Sequence, residues 1–255
     1  MRSAAVILPE AEVPHIWLYD ASSQQRSIFA PNSAFPTWSP DGKRIIYTDR
    51  NRGIGDIVMR SIRLAGAEET LVTAATAIAP YSWSADGRYL TYTELDQGSA
   101  PKYSVWLYSF LNRSPLAFLK GGRSNSQAVL SPDGRWIAYW SDETPPAQVF
   151  VARFPDGAQK RRVSIAGGQW PEWRKDGREL YYVDAADRLT AVAIEKRGTE
   201  LTIGEPRSLF EVSLSKWGKP YAVADGVRFL ALRDVRIGES QPIVAILNGI
   251  APAAK

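Results

Sequence analysis

Five aspartates, each followed directly by glycine, are the most regular chemistry-bearing residues of the chain: Asp41-Gly42, Asp86-Gly87, Asp133-Gly134, Asp176-Gly177 and Asp225-Gly226. A carboxylate can hold a hard cation, act as a general base or close a turn. Spacing decides among these. The intervals are 45, 47, 43 and 49 residues, so each structural unit holds one such aspartate, and aspartates spread this way do not converge on one substrate. The sequence assigns all ten residues to turns. A second set of acids, Glu94, Asp96, Asp142, Glu143, Asp184 and Asp187, falls shortly after predicted second strands, at equivalent ends of the units. Oxygen-only ligands of this kind suit calcium. Loop acids are far more often simply solvated, and no metal ligand is assigned.

Other machinery for catalysis is sparse. The chain has no cysteine, which excludes disulfides, thiolate nucleophiles and Cys-ligated zinc. Its one histidine, His15, precedes Ile16-Trp17 and has no nucleophile partner in the sequence, so it reads as a partly exposed residue at the start of a strand. No Gly-x-Ser-x-Gly elbow occurs. Arg52-Gly53-Ile54-Gly55 lacks the spacing and following helix of a nucleotide loop. The expectation is no catalytic residue and no cofactor. A net charge of +4, from 31 basic and 27 acidic residues, is too small for a dedicated nucleic-acid binder, which concentrates cations on one face. The densest basic run, Lys160-Arg161-Arg162, reads as a solvated edge. The apolar run Ala4-Ala5-Val6-Ile7-Leu8 is too short for a signal-peptide core or a membrane span.

The elements that carry these residues repeat. Three residues before each aspartate stand Trp38, Trp83, Leu130, Trp173 and Ala222. Four after it stand Ile45, Leu90, Ile137, Leu180 and Phe229, and six after it Tyr47, Tyr92, Tyr139, Tyr182 and Ala231. The last two positions share one face of a strand. Ser39-Pro40-Asp41-Gly42 and Ser131-Pro132-Asp133-Gly134 supply proline where φ is near −65° and glycine where φ is positive, the chemistry of a tight hairpin. Third strands follow at Ile57–Met59, Val105–Tyr108, Val149–Val151, Leu189–Val192 and Ile243–Leu247, and fourth strands around Leu71-Val72, Leu116–Phe118, Val163–Ile165 and Leu209-Phe210. A period near 45 residues with four strands each predicts an all-β fold, a β-propeller of four-stranded antiparallel blades. The sequence predicts one domain over 1–255, with blades at about 33–75, 79–121, 126–166, 168–212 and 217–250.

Residues 14–30 supply two orphan outer strands, Ile16–Tyr19 and Ser27–Phe29, with no hairpin before them. Five hairpins, six third strands and five fourth strands do not match; a closed five-bladed ring could borrow Ser27–Phe29 as its missing strand, leaving Ile16–Tyr19 over. A six-bladed ring needs about 20–30 further residues upstream. The expectation is therefore an incomplete six-bladed ring and a chain that is the carboxyl-terminal part of a longer protein.

Phe35-Pro36-Thr37-Trp38-Ser39-Pro40-Asp41-Gly42-Lys43-Arg44-Ile45-Ile46-Tyr47 resembles the TolB-type propeller repeat, a relative of the WD-type repeats, and the likeness runs through five copies from about Ser33 to Leu247. The tail Gln241-Pro242-Ile243-Val244-Ala245-Ile246-Leu247-Asn248 is similar to the ending of propellers attached to bacterial serine/threonine kinases. The resemblance implies a non-catalytic propeller that binds a protein or small ligand at one face of the disc, as the sensor of a larger bacterial protein. It implies an extracytoplasmic location, with the cytoplasm as the alternative, no nucleic acid, and a membrane only through a missing upstream segment. The competing expectation is a hydrolase or lactonase with a carboxylate-bound metal in the central tunnel. Arg50, Arg52, Tyr103, Trp140, Trp170 and Trp217 are candidates for a binding patch. For Trp38, Trp83 and Trp173, which share one repeat position, core packing is the expectation.

Overall fold

A computed structural model describes residues 3–10, 13–20, 23, 25–51, 53–63, 68–98, 100–214, 219–223, 228–232 and 244–248. Every regular element among them is a strand. The chain divides into two compact units, Met1–Leu130 and Ser131–Lys255.

The first unit holds β1 (Ser3–Glu10), β2 (Val13–Asp20) and β3 (Gln25–Ala30) in one antiparallel sheet. Two four-stranded sheets follow. One runs β4 (Ser33–Trp38), β5 (Arg44–Asp49), β6 (Asp56–Ser61), β7 (Glu69–Val72), and the other β8 (Ile78–Trp83), β9 (Tyr89–Leu95), β10 (Tyr103–Ser109), β11 (Ser114–Leu119). The unit ends on β12 (Asn125–Leu130), packed against β8, β9 and β10. The first strand of each blade is the inner one, since β4 packs on β8 and β8 on β12.

The second unit holds β13 (Trp136–Ser141), β14 (Gln148–Arg153) and β15 (Arg161–Arg162) in order. Next come β16 (Gln169–Trp173), β17 (Glu179–Val183), β18 (Arg188–Arg197) and β19 (Glu200–Ile203), with β20 (Arg207–Glu211) also paired to β18. β21 (Tyr221–Val223), β22 (Arg228–Leu232) and β23 (Val244–Asn248) form the last sheet.

The repeated apolar residues are what the blades bury. Ile45, Tyr47, Leu90, Tyr92, Ile137, Tyr139, Leu180 and Tyr182 are each at most 2% exposed, and each contributes roughly 1.5–3 kcal/mol on burial. In the first unit the cores lie between successive sheets. Ile16 and Phe29 meet Ile45, Tyr47 and Val58 with Trp38 against them, and Ile46, Ile57 and Met59 meet Leu90, Tyr92 and Tyr108 with Trp83 against them. Hydroxyls fasten one blade to the next. Thr48 Oγ1 donates to the Ile78 carbonyl at 3.1 Å, and Thr91 Oγ1 to the Ala128 carbonyl at 2.5 Å.

Three expectations need correction. Ile16–Tyr19 is not an orphan, because β1 precedes it and pairs with β2 in unbroken register from Ser3↔Asp20 to Glu10↔Val13. The short run Ala4–Leu8 is the middle of that strand. In the blade after Leu130 the fourth strand is Arg161-Arg162 rather than Val163–Ile165, because Val163 N and Ser164 N both turn to the Val149 carbonyl. The third strand expected at Leu189–Val192 continues to Arg197 and folds back as β19.

Candidate functional site

The turn aspartates close local networks. Ser39 Oγ donates to Asp41 Oδ1 at 2.5 Å, the Lys43 amide donates to the same oxygen at 3.0 Å, and the Arg44 amide donates to Ser39 Oγ at 2.9 Å. Ser84 with Asp86, and Ser131 with Asp133, repeat the pattern. Gly42, Gly87, Gly134 and Gly177 have φ of +66°, +76°, +67° and +70°, where a Cβ is strained. The Asp41 carboxyl is held below its usual range by the Ser39 hydroxyl and the Lys43 amide. In the fourth hairpin arginine replaces serine. Arg174 Nε and Nη2 grip Asp176 at 2.8 and 2.7 Å, and the Arg174 guanidinium lowers the Asp176 carboxyl to about 2. Asp225 and Gly226 lie outside the described residues.

The second set of acids is engaged piecemeal. Ser104 Oγ donates to Asp96 Oδ2 at 2.8 Å, and Glu143 pairs with Lys160. Asp184 Oδ1 accepts from the Ala186 and Arg188 amides at 2.9 and 3.0 Å, and its other oxygen from Thr190 Oγ1 at 3.2 Å. Among the described residues no three of His, Asp or Glu come together to hold a metal ion. His15 is half-buried, and its Nδ1 accepts from the Asn32 amide at 3.3 Å.

Of the proposed contact residues, Arg50 is exposed, Tyr103 is 44% exposed at the start of β10, and Trp140 is partly exposed on β13. Trp170 is buried, and Arg52 and Trp217 lie outside the described residues. Trp173 is buried.

What sequence reasoning missed lies on the inner strands. β4, β8 and β12 have six residues each, and none of the eighteen is Asp, Glu, Lys, Arg or His, although 23% of the chain is charged. Six residues before the hairpin aspartate, Phe35 and Gln127 sit in the left-handed region at φ +56°. The β4–β5 register skips from Ala34↔Thr48 to Thr37↔Ile46, so Phe35 and Pro36 face the single residue Tyr47. In β8 the equivalent residue is Pro80, which cannot take positive φ. There the register shift lies between Pro80 and Ser82, leaving Tyr81 as the extra residue. These are β-bulges, which re-aim a side chain.

The bulges bring rings together. Phe35 and Tyr81 lie edge to face at 6.1 Å between centroids. Both are partly exposed, whereas Ala34, Ala79, Ser126 and Ala128 beside them are buried. The Tyr81 hydroxyl is pushed up to about 12, by burial first, against a hydrogen bond with Ser126, and the nearby Tyr103 hydroxyl adds to the rise. Ser126 Oγ in turn lies 3.2 Å from Thr93 Oγ1. Phe35, Tyr81, Tyr103 and Gln127 thus define the candidate site in the first unit. Its signal was the lack of charge upstream of the first three Asp-Gly pairs.

The second unit builds the same backbone differently. Trp170 takes φ +57° at the matching bulge in β16, but its carbonyl accepts from Tyr221 Oη at 2.6 Å. Glu172 beside it pairs with Lys219. This inner edge is charged and closed on itself.

Antiparallel blades succeeding one another along the chain, most of them opened by an Asp-Gly hairpin, define a β-propeller. The family model of the TolB β-propeller domain matches residues 10–205, and the chain belongs to that family. An uncharacterized protein of Agrobacterium fabrum is 24% identical over 179 residues, 68% of this chain and 60% of that protein. The crystal structure of TolB from Acinetobacter baumannii superposes with a TM-score of 0.68 at 19% identity, covering 89% of this chain and 59% of that one. An oligogalacturonate lyase in complex with manganese has a TM-score of 0.63 at 13% identity, over 93% and 69% of the two chains. The chain spans about three fifths of the length of the first two. The fold is that of a binding or interaction domain, and enzymes share it.

Proposed function

We propose that this chain is a non-catalytic binding propeller, the sensor or interaction domain of a larger extracytoplasmic bacterial protein such as a membrane-bound serine/threonine kinase. The carrying observation is the uncharged inner row of the first unit, where the rings of Phe35 and Tyr81 meet, with Tyr103 of β10 near Tyr81 and no carboxylate or cation on the three inner strands. Hydrolysis needs a general base or a metal-bound water, and such a row offers neither. Protein contact surfaces are depleted of charge at their centres and enriched in aromatic rings, which is this composition. The kinase attachment and the location rest on the likeness of the tail Gln241–Asn248.

Site-specific photo-crosslinking in the producing cells tests the reading. A benzophenone side chain replacing Tyr103 is expected to give one discrete adduct. The same group replacing Leu116, exposed on the outer strand β11, is expected to give none. Equal labelling from both places, or none from Tyr103, rejects a binding site on this row.

A further inference from the structure

Resting on that reading, we infer that the row of Phe35, Tyr81, Tyr103 and Gln127 takes an extended, uncharged peptide segment of a partner protein that presents proline or aromatic rings. Three observations on the first unit point to this chemistry. First, β4, β8 and β12 hold no charged side chain. A ligand charge brought against them leaves water without gaining a partner on these strands, which is unfavourable. The occupant is therefore neutral where it touches these strands.

Second, hydroxyls in and beside the row already have partners within the fold. Tyr81 bonds to Ser126, Ser126 to Thr93, and Thr48 and Thr91 spend their hydroxyls on the Ile78 and Ala128 carbonyls. A saccharide is recognised by donors and acceptors placed for its hydroxyls, and displacing internal hydrogen bonds to supply them is costly. The partly exposed rings of Phe35 and Tyr81 and the exposed ring of Tyr103 remain for apolar contact. Aromatic-lined grooves bind proline-rich segments, whose preformed extended helix loses little entropy on docking.

Third, strained backbone holds the positions on either side of Tyr81. Left-handed Phe35 and Gln127 flank Tyr81, the extra residue of the middle bulge. A non-glycine residue in that region persists only where the surrounding structure imposes it. The bulges of β4 and β8 and the left-handed Gln127 of β12 fall at neighbouring positions, five or six residues before the hairpin aspartate, on three successive inner strands, which suits a ligand lying across them.

The test uses the whole chain and a deca-L-proline peptide, titrated by isothermal calorimetry, with maltohexaose and a deca-glutamate peptide as competitors. Deca-proline is expected to bind at micromolar to millimolar concentration. Tyr81→Ala should weaken it at least tenfold and Tyr81→Phe less than threefold, since the ring and not the hydroxyl makes the contact. Thermal melting of each variant shows that it is folded, and Leu116→Ser on β11 should leave binding unchanged. No deca-proline binding, displacement by maltohexaose or deca-glutamate, or a folded Tyr81→Ala that binds as before each overturns the peptide assignment. Failure here with a discrete Tyr103 crosslink leaves the binding site standing with a different ligand. Loss of that crosslink removes both.

Discussion

Each described blade that opens on an Asp-Gly hairpin contains two neighbouring regions built on opposite principles. The hairpins repeat in sequence and in chemistry, with Ser39, Ser84 and Ser131 each donating to the aspartate two residues on at 2.5–2.6 Å. The inner strands, a few residues earlier, repeat only in backbone. A left-handed residue recurs at Phe35, Gln127 and Trp170, but the side chains placed there are a partly exposed ring, an amide and a buried indole. A turn has one geometric problem, and few residues solve it. A bulge fixes where a side chain points and leaves its identity open, so variation among blades accumulates there.

The sharpest way to break this contrast is to move destabilisation from one region to the other. Leu90, the apolar residue four after Asp86, is fully buried in the core with Ile46, Ile57 and Tyr92. Leu90→Ala is expected to cost about 3 kcal/mol in urea-induced unfolding. Phe35→Ala on the inner strand should cost about 1 kcal/mol or less, because its ring is partly exposed and loses little burial. Comparable losses from the two would make the inner row another piece of core. A smaller effect is expected where the regions meet. Thr91→Val keeps the shape, removes the hydroxyl that holds the Ala128 carbonyl at 2.5 Å, and should cost about 1–2 kcal/mol by the same measurement.

The fold was legible in the sequence because the repeat encodes it: Asp-Gly every 43 to 49 residues and buried residues four and six after it. Two strands escaped. β1 sits before the first repeat, and its run Ala4–Leu8 carries no hairpin signature to announce it. β19 arises because β18 runs to Arg197 and reverses through Gly198 at φ +62°, with charged residues where a strand pattern shows apolar ones. Of the candidate site, only Tyr103 was legible, as an aromatic near a strand end. Phe35 lay in plain view inside the repeat yet read as filler, since a β-bulge leaves no mark on polar-apolar alternation. Tyr81 and Gln127 differ from Phe35 in type, so no repeated letter pointed to them.

The hairpins differ among themselves in one respect that acid exposes. Asp176, held by Arg174, has its carboxyl lowered from 3.8 to about 2. A depressed carboxyl contributes stability that is complete above the unfolded value and is lost as the pH falls through the folded one. This contribution is therefore present above about pH 4 and fades toward pH 2. Both partners touch solvent, with the Asp176 side chain 45% exposed, so screening reduces it to below about 1 kcal/mol. Asp176→Asn should flatten the pH dependence of the urea midpoint in that window. An unchanged slope would place the interaction outside the stability of the fold.

The finest test sets two glutamines against each other. Gln159, in the turn after β14, and Gln127, in the inner strand β12, have nearly the same backbone, φ +52° and +56°. Left-handed backbone costs an L-residue about 1–2 kcal/mol, and glycine returns part of that gain through its freedom in the unfolded chain. Gln159 is exposed, so Gln159→Gly should raise stability by about 0.5 kcal/mol, or roughly 1–2 °C in Tm for a chain of this size. Gln127 is only partly exposed, and it takes part in interactions within the fold. Gln127→Gly relieves the same strain but gives up those interactions, so its Tm should stay level or fall. Equal stabilisation from the two would mean that the bulge is mere backbone, with nothing invested in the residue that fills it. A gain at Gln159 without one at Gln127 would show that the inner strand holds its strained residue for the side chain.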